Sequence, residues 1–369
     1  MRRNEISSIF SLIFLIICCW YFYNRLFWNE LHNFKPISVL ETQPIKWPYN
    51  YDNFTPRRYL TLEANGGRLG NQLFRVLSGF GIAKTLNRIN NFWIPSNYIP
   101  HVEPLRQQLE QTFPLLNSSY IISDIDDNGY PDFVKYGYHK GDWTCCIYES
   151  PEKLKQYSPE RNLKLGHRFA QSPYFWRKYE DEVRKLITFG DPIQKEGDQI
   201  INKWKINPEE SYFCVHSRRT DFLNYNDQTS IGFALEAIQF IMEREKSKKG
   251  GFVLFGDDGD FNRELLNELW SLYKYDMAYF TVKYSEGVEW YLSSRFCMTT
   301  LITASKSTYG WFIGYFSRNN SNVYYDNDVR KENRPTMDLF PMEWTPLQYR
   351  NGKISIFPVT KQIRSNYSL

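Results

Sequence analysis

Residues 214–222 read CVHSRRTDF, an apolar start that passes within six positions through a histidine, two arginines and an aspartate. With the residues just before it, SYFCVHS has the make-up of a buried strand, so the charges stand where that strand ends. Downstream, Ile231, Leu235, Ile238 and Met242 recur at helical spacing and predict a helix closed by Gly250 and Gly251. FVLFGDD then reads as a strand and FNRELLNELW as a helix. YFTVKY, EWYLSSRF, TLITAS, TYGWFIGYF and NVYYD continue the alternation. Strands separated by helices imply right-handed crossovers and a parallel sheet, whose ligands bind beyond the carboxyl ends of the strands.

Upstream, YLTLEA (59–64) reads as a strand, NGGRLGN as a glycine-rich turn, and Leu69, Leu73, Val76, Phe80 and Ala83 as one face of a helix. FWIP, YIISD and helices over 174–189 and 197–205 follow. The fold class expected is α/β, with an N-terminal half at 59–208 and a C-terminal half at 209–369. Residues 24–58, rich in proline and without a period, predict an extended stem. Before them, Ile6 to Tyr23 carries no charge and is long enough to span a thin bilayer, and no small-residue cleavage site follows it. Arg2 and Arg3 in the tail 1–5 against Arg25 beyond the segment predict a cytoplasmic tail and a lumenal body, a type II topology. The sequons at Asn53, Asn117, Asn319 and Asn366 agree with a lumenal body. So do Cys145, Cys146, Cys214 and Cys297, which allow one or two disulfides in any pairing.

The charge balance, 45 basic against 41 acidic residues, leaves +4 without long basic runs, which excludes a nucleic-acid binder. Aromatics reach 18%, which suits surfaces that stack on sugar rings as well as a packed core.

Three strand ends carry the candidate chemistry. His216-Ser217-Arg218-Arg219-Thr220-Asp221 offers paired guanidinium forks, suited to phosphate oxygens, although a structural ion pair between Asp221 and one arginine accounts for part of it. Asp257 and Asp258 can accept hydrogen bonds from a base or ribose, and Asp260 reads as the cap of the next helix. Ser305, Ser307 and Thr308 precede a helix whose N-terminal amides attract anions, or simply cap it. The glycine-rich turn adds Gly67, Arg68, Gly70 and Asn71.

In this order GGRLGNQLF, VHSRRTDF, FGDD and STYGWFIGYF resemble the α1,2-fucosyltransferase family, glycosyltransferase family 11, over roughly residues 59–350. The resemblance implies a GT-B architecture of two Rossmann-like domains facing a cleft. It also implies a Golgi type II anchor, and inverting transfer from GDP-fucose to a galactose-containing glycan with no metal. By resemblance, Arg218 grips the donor diphosphate, with His216, Arg219 and Asp221 shaping that turn. Asp257 or Asp258 lies near guanine, Ser307, Thr308 and Tyr309 form the phosphate-side loop, and Gly67, Arg68, Gly70 and Asn71 face the cleft. Ser217, Thr220 and Phe312 depart from the frequent family pattern. A carboxylate must act as base, and Asp221 and Glu63 are candidates.

Two other readings stay in view. Asp258-Gly-Asp260 matches the Asp-x-Asp of manganese-dependent GT-A glycosyltransferases. Alternatively, the aromatics would serve an inactive membrane-anchored lectin. Asp124 to Gly129 imitates the start of a calcium loop, but Lys135 stands where its closing carboxylate belongs, which makes it a solvated turn.

Overall fold

The computed structural model describes residues 58–122, 133–136, 146–157, 162–166, 169–246, 250–274, 278–281, 284–327 and 336–358. The tail 1–5, the anchor 6–23, the stem up to residue 57, Asn53, Asn366, Cys145 and the acidic turn 124–129 lie outside these residues. No helix among the described residues is long and apolar enough to cross a membrane. The described residues all fall within one compact unit.

The smaller sheet contains β1 (Tyr59–Leu62), β2 (Ile89–Asn91), β3 (Phe133–Tyr136) and β4 (Asn162–Leu165), in the order β2-β1-β4-β3 with every pair parallel. Helices α1 (Leu69–Thr85) and α2 (Ile99–Thr112) follow its first two strands, and α3 (Glu180–Leu186) and α4 (Asp191–Trp204) lead to the larger sheet. That sheet is built from β5 (Tyr212–Ser217), α5 (Ile231–Glu245), β6 (Gly251–Gly256), α6 (Gly259–Tyr273), β7 (Ala278–Thr281), α7 (Glu286–Phe296), β8 (Cys297–Ile302), α8 (Thr308–Phe316), β9 (Val323–Asp326), β10 (Thr345–Arg350) and β11 (Lys353–Ile356). Its order is β11-β10-β9-β8-β5-β6-β7, parallel except for the β10–β11 hairpin.

The central strands are apolar on both faces because helices cover both faces of a parallel sheet. Phe252 to Phe255 of β6 are at most 1% exposed, and burial of side chains of that size stabilises by about 1.5–3 kcal/mol each. One apolar core runs across both sheets. Phe74 of α1 lies 4.6 Å from Trp311 and 4.9 Å from Phe312 of α8, while Phe113, just after α2, stacks 6.1 Å from Trp290 of α7. Cys214 of β5 is bonded to Cys297 of β8, tying neighbouring strands with Cα atoms 5.5 Å apart. Cys146 is disulfide-bonded as well.

Several boundaries differ from expectation. The helix expected to close at Gly250–Gly251 ends at Glu245, where Lys246 takes the left-handed φ of 49° and Gly251 opens β6. The stretch 174–189 opens with 3-10 turns at Pro173–Phe175 and Arg177–Tyr179 before α3, and α4 begins at Asp191, ahead of residue 197. Helix α1 is buried on nearly all sides, not on one face, because the larger sheet's helices cover the side that would otherwise meet water.

Candidate active site

Ser217, the last residue of β5, pairs in register with Gly256 at the end of β6, and His216 with Ile302 at the end of β8. All three strands run the same way, so the turns 218–221, 257–258 and 303–307 leave from one edge. The order of the sheet reverses at β5, with β6 and β7 on one side and β8 and β9 on the other. Such a switch point opens a crevice, because consecutive crossovers lead away from each other.

Both arginines of the expected pair are held by carboxylates, so neither is wholly free. Arg218, 8% exposed, donates Nε–H and Nη2–H to the two oxygens of Asp221, each at 2.9 Å, and its Nε lies 3.2 Å from Asp257. That side-on grip leaves Nη1 with no hydrogen bond among the described residues. Arg219 donates to Asp258 at 3.1 Å and to the Thr229 carbonyl at 2.8 Å, and its guanidinium lies 4.5 Å from the Phe261 ring centre. Asp257 accepts from the Arg219 backbone amide at 2.9 Å and from the Thr220 hydroxyl. These contacts pin the turn from outside, and the Thr229 hydroxyl pins it from within by accepting from the Arg218 amide at 2.9 Å.

The cap of α6 is Asp258, not Asp260: its Oδ1 accepts from the Phe261 amide at 3.0 Å. Asp260 is exposed and faces Arg263 at 2.7 Å. The two carboxylates proposed for an Asp-x-Asp metal site are therefore engaged with different partners. No group of three or more metal-ligating side chains occurs among the described residues.

The glycine-rich turn comes to the same edge. Arg68, 59% exposed at its side chain, lies 3.7 Å from Asp221. A Cβ on Gly70 would stand 2.8 Å from Thr308 Oγ1 and 2.9 Å from the Thr308 carbonyl carbon, so only glycine lets the start of α1 touch the start of α8. Gly67 packs similarly against Asn71, whose side-chain oxygen accepts from Gln171. Two helix N-termini thus meet at one locus, each with unpaired amides and the positive end of its dipole. Ser307 caps α8 by accepting from Gly310 N–H at 3.2 Å, which realises its capping role. Three guanidiniums and three carboxylates cancel in formal charge. What an anion meets is therefore decided by position, and Arg68 is the most exposed of the six.

His216 is fully buried, with both ring nitrogens unpartnered among the described residues, and burial lowers its pKa to about 4. Its ring packs against Gly310, where an added Cβ would come within 2.4 Å, and lies 5.4 Å from the Tyr309 ring. The neutral imidazole fills space behind the turn. Tyr309 is half-buried and donates its hydroxyl to Glu289 of α7, a residue the sequence did not single out. Glu289 is 6% exposed, and burial pushes its pKa up to about 7. Glu63 is half-buried just past the carboxyl end of β1, its amide bonded to the Leu165 carbonyl at 2.9 Å.

Asn117 is exposed in a 3-10 turn and Asn319 is half-exposed between α8 and β9. A separate concavity of about 420 Å³, lined by Arg177, Glu180, Arg184, Tyr315 and Trp344, adjoins the other end of α8 and contains none of the expected site residues.

No family model matches the chain. A galactoside 2-α-L-fucosyltransferase of Caenorhabditis elegans is 30% identical over 365 residues, covering 95% of this chain and 96% of that protein. The C. elegans protein svh-11 is 30% identical over 369 residues, covering 92% and 91%. Among solved structures, a point mutant of Arabidopsis thaliana FUT1 in complex with GDP is 12% identical over 82% of this chain and 73% of that one, with a TM-score of 0.44. Fucosyltransferase NodZ from Bradyrhizobium is 13% identical over 82% and 99%, with a TM-score of 0.42. Both structural likenesses are too distant to carry an assignment. The sequence match is not: at 30% identity over nearly the full length of both proteins, the chain belongs to the galactoside 2-α-L-fucosyltransferase family.

Proposed function

We propose that the protein transfers L-fucose from GDP-fucose, with inversion, to O2 of a galactose in a glycan, without a metal. The GT-B arrangement takes residues 59–208 as the acceptor side and 209–369 as the donor side. The Golgi lumen is the compartment, with the segment 6–23 as a type II anchor. One observation carries the donor reading: the α1 and α8 N-termini meet at Gly70 and Thr308, beside the Arg218 turn and Arg68. A diphosphate there would receive backbone amides from two helices and guanidinium N–H groups from two arginines.

As the bond from fucose C1 to the diphosphate lengthens, negative charge grows on the leaving nucleotide. Donors already fixed in place stabilise that charge more than the ground state. Arg218 Nη1 is the fixed donor, because Asp221 and Asp257 hold the rest of its guanidinium. Both oxygens of Asp221 are occupied by Arg218, so its first task is to orient that arginine. The acceptor proton must go to a carboxylate that the acceptor itself brings within reach. Incubation with labelled GDP-fucose and a glycan panel, with and without EDTA, tests the proposal. Transfer to galactose-terminated acceptors that persists in EDTA supports it. Transfer that collapses in EDTA and returns with manganese favours the metal-dependent alternative, and GDP binding without transfer favours the lectin.

A further inference from the structure

Tyr309, the second residue of α8, is fastened at two points to α7. Its hydroxyl is bonded to Glu289 and its carbonyl accepts from Trp290 Nε1–H at 3.3 Å. The neighbouring residue, Thr308, is the one that packs against Gly70. Glu289 therefore lies behind the turn whose amides face the proposed diphosphate position, on the side away from solvent.

A buried carboxylate is costly unless fully satisfied, and a glutamine could accept the tyrosine hydrogen bond at lower cost. Among the described residues, the groups facing Glu289 do not supply a counter-charge. From α8 it meets Tyr309, from the end of β7 Thr281, from its own helix Glu286, and from the end of β6 the field of Asp257. Tyr284, ahead of α7, shares its field, and Arg218 acts on Tyr309. Among the described residues two further carboxylates and no bonded cation surround it, and burial holds its pKa at about 7. A diphosphate arriving beside α8 adds more negative charge to that field.

We propose that Glu289 is a positioning residue that fixes the first turn of α8 through Tyr309 and takes up a proton when the anionic donor binds. The inference rests on the donor site proposed above. Proton uptake follows from reciprocal linkage: if a bound anion favours the neutral carboxyl, protonation of that carboxyl favours the anion.

The test is titration of the full-length chain with GDP-fucose from pH 6 to 8.5, alongside kcat and KM for transfer. GDP-fucose has no phosphate that titrates in this range, so any slope belongs to the protein. Wild type is expected to bind about tenfold more weakly at pH 8.5 than at pH 6. Glu289→Gln should bind with little pH dependence, because its amide does not titrate while its oxygen still accepts from Tyr309. Glu289→Leu and Tyr309→Phe should each raise KM for GDP-fucose about tenfold with kcat within twofold, and the double variant should be no worse than either. Tyr309→Phe removes one hydroxyl from a half-buried ring and keeps the test available where Glu289→Leu fails to fold. A purely structural role predicts lower thermal stability and active fraction with KM unchanged, which overturns the inference. So does a Glu289→Gln variant with the wild-type pH slope. Wild type that does not bind GDP-fucose at any pH overturns the proposed donor site as well.

Discussion

Replacing Arg218 by alanine separates the catalytic reading of the HSRRTD turn from the structural one. The fold loses two charge-assisted hydrogen bonds to Asp221 and the ion pair with Asp257. Asp221 is 45% exposed at its side chain and can rehydrate, and Asp257 keeps the Arg219 amide and the Thr220 hydroxyl. Partly screened bonds of this kind are worth about 1 kcal/mol each, and the buried arginine stem adds a similar amount, for about 3–4 kcal/mol of stability. That loss lowers the melting temperature by several degrees without unfolding the protein at 25 °C. The rate loss is independent of that: removing one fixed donor to a developing anion costs about 3–4 kcal/mol, on the order of a hundred- to thousandfold in kcat/KM.

The assay is initial-rate transfer from GDP-fucose beside a thermal melt of the same preparation. Arg219→Ala is the matched control, since it gives up comparable bonds to Asp258 and Thr229. A folded Arg218→Ala enzyme within tenfold of wild type would refute the assignment. Should Arg219→Ala show the thousandfold loss instead, the two roles are exchanged.

Gly70→Ala places a methyl 2.8 Å from Thr308 Oγ1, so the two helix starts must separate; calorimetry should show GDP-fucose binding weakened about tenfold. Removing the Cys214–Cys297 bridge, which spans 83 residues of sequence, should cost on the order of 4 kcal/mol by loop entropy, read as a lower denaturant midpoint. The pH dependence has opposed components. Glu289 is raised in the fold from the ordinary 4.5 to about 7, so its contribution is full below 4.5 and is lost as pH rises through 7. His216 is lowered from 6.5 to about 4, so its contribution is full above 6.5 and is lost as pH falls towards 4. At about 1.4 kcal/mol per pKa unit each is worth about 3 kcal/mol. Glu289→Gln removes the first alone, so its melting temperature should gain on wild type from pH 5 to about pH 7 and level off above that. An advantage equal at both ends would refute the buried carboxyl as the source.

The larger sheet is legible in the sequence because uninterrupted apolar runs such as FVLF, each followed at once by charge, mark both a strand and its carboxyl end. Helix ends are less so. Lys246 adopts a left-handed conformation that its residue type does not announce, and placing the start of α6 at Phe261 shifts its cap from Asp258 to Asp260. The β10–β11 hairpin carries a recognisable signal that the sequence reading passes over: Asn351-Gly352, both with positive φ, joins Arg350 to Lys353 across a two-residue turn. Glu289 has no such signal. In EGVEWYLSSRF it reads as an ordinary helical acid, and its burial becomes visible only once α8 is laid against α7.

The pairing of the charges is the deepest part that sequence leaves open. Composition shows that arginines and aspartates share the turn, and residue types alone favour one arginine bound and one free. The fold binds both, for a reason that bears on catalysis. A guanidinium held only by water must reorganise its solvent as a leaving group gains charge, whereas one held side-on by Asp221 and Asp257 already has its direction fixed. If Arg218 acts as proposed, the carboxylates beside it weaken the site's pull on the ground-state nucleotide while fixing the donor that the departing one needs. Differential stabilisation of the transition state requires that combination. It follows that Asp221→Asn, which relaxes the grip and removes a negative charge, should tighten GDP-fucose binding while lowering kcat, and parallel loss of both would show that Asp221 serves the fold alone.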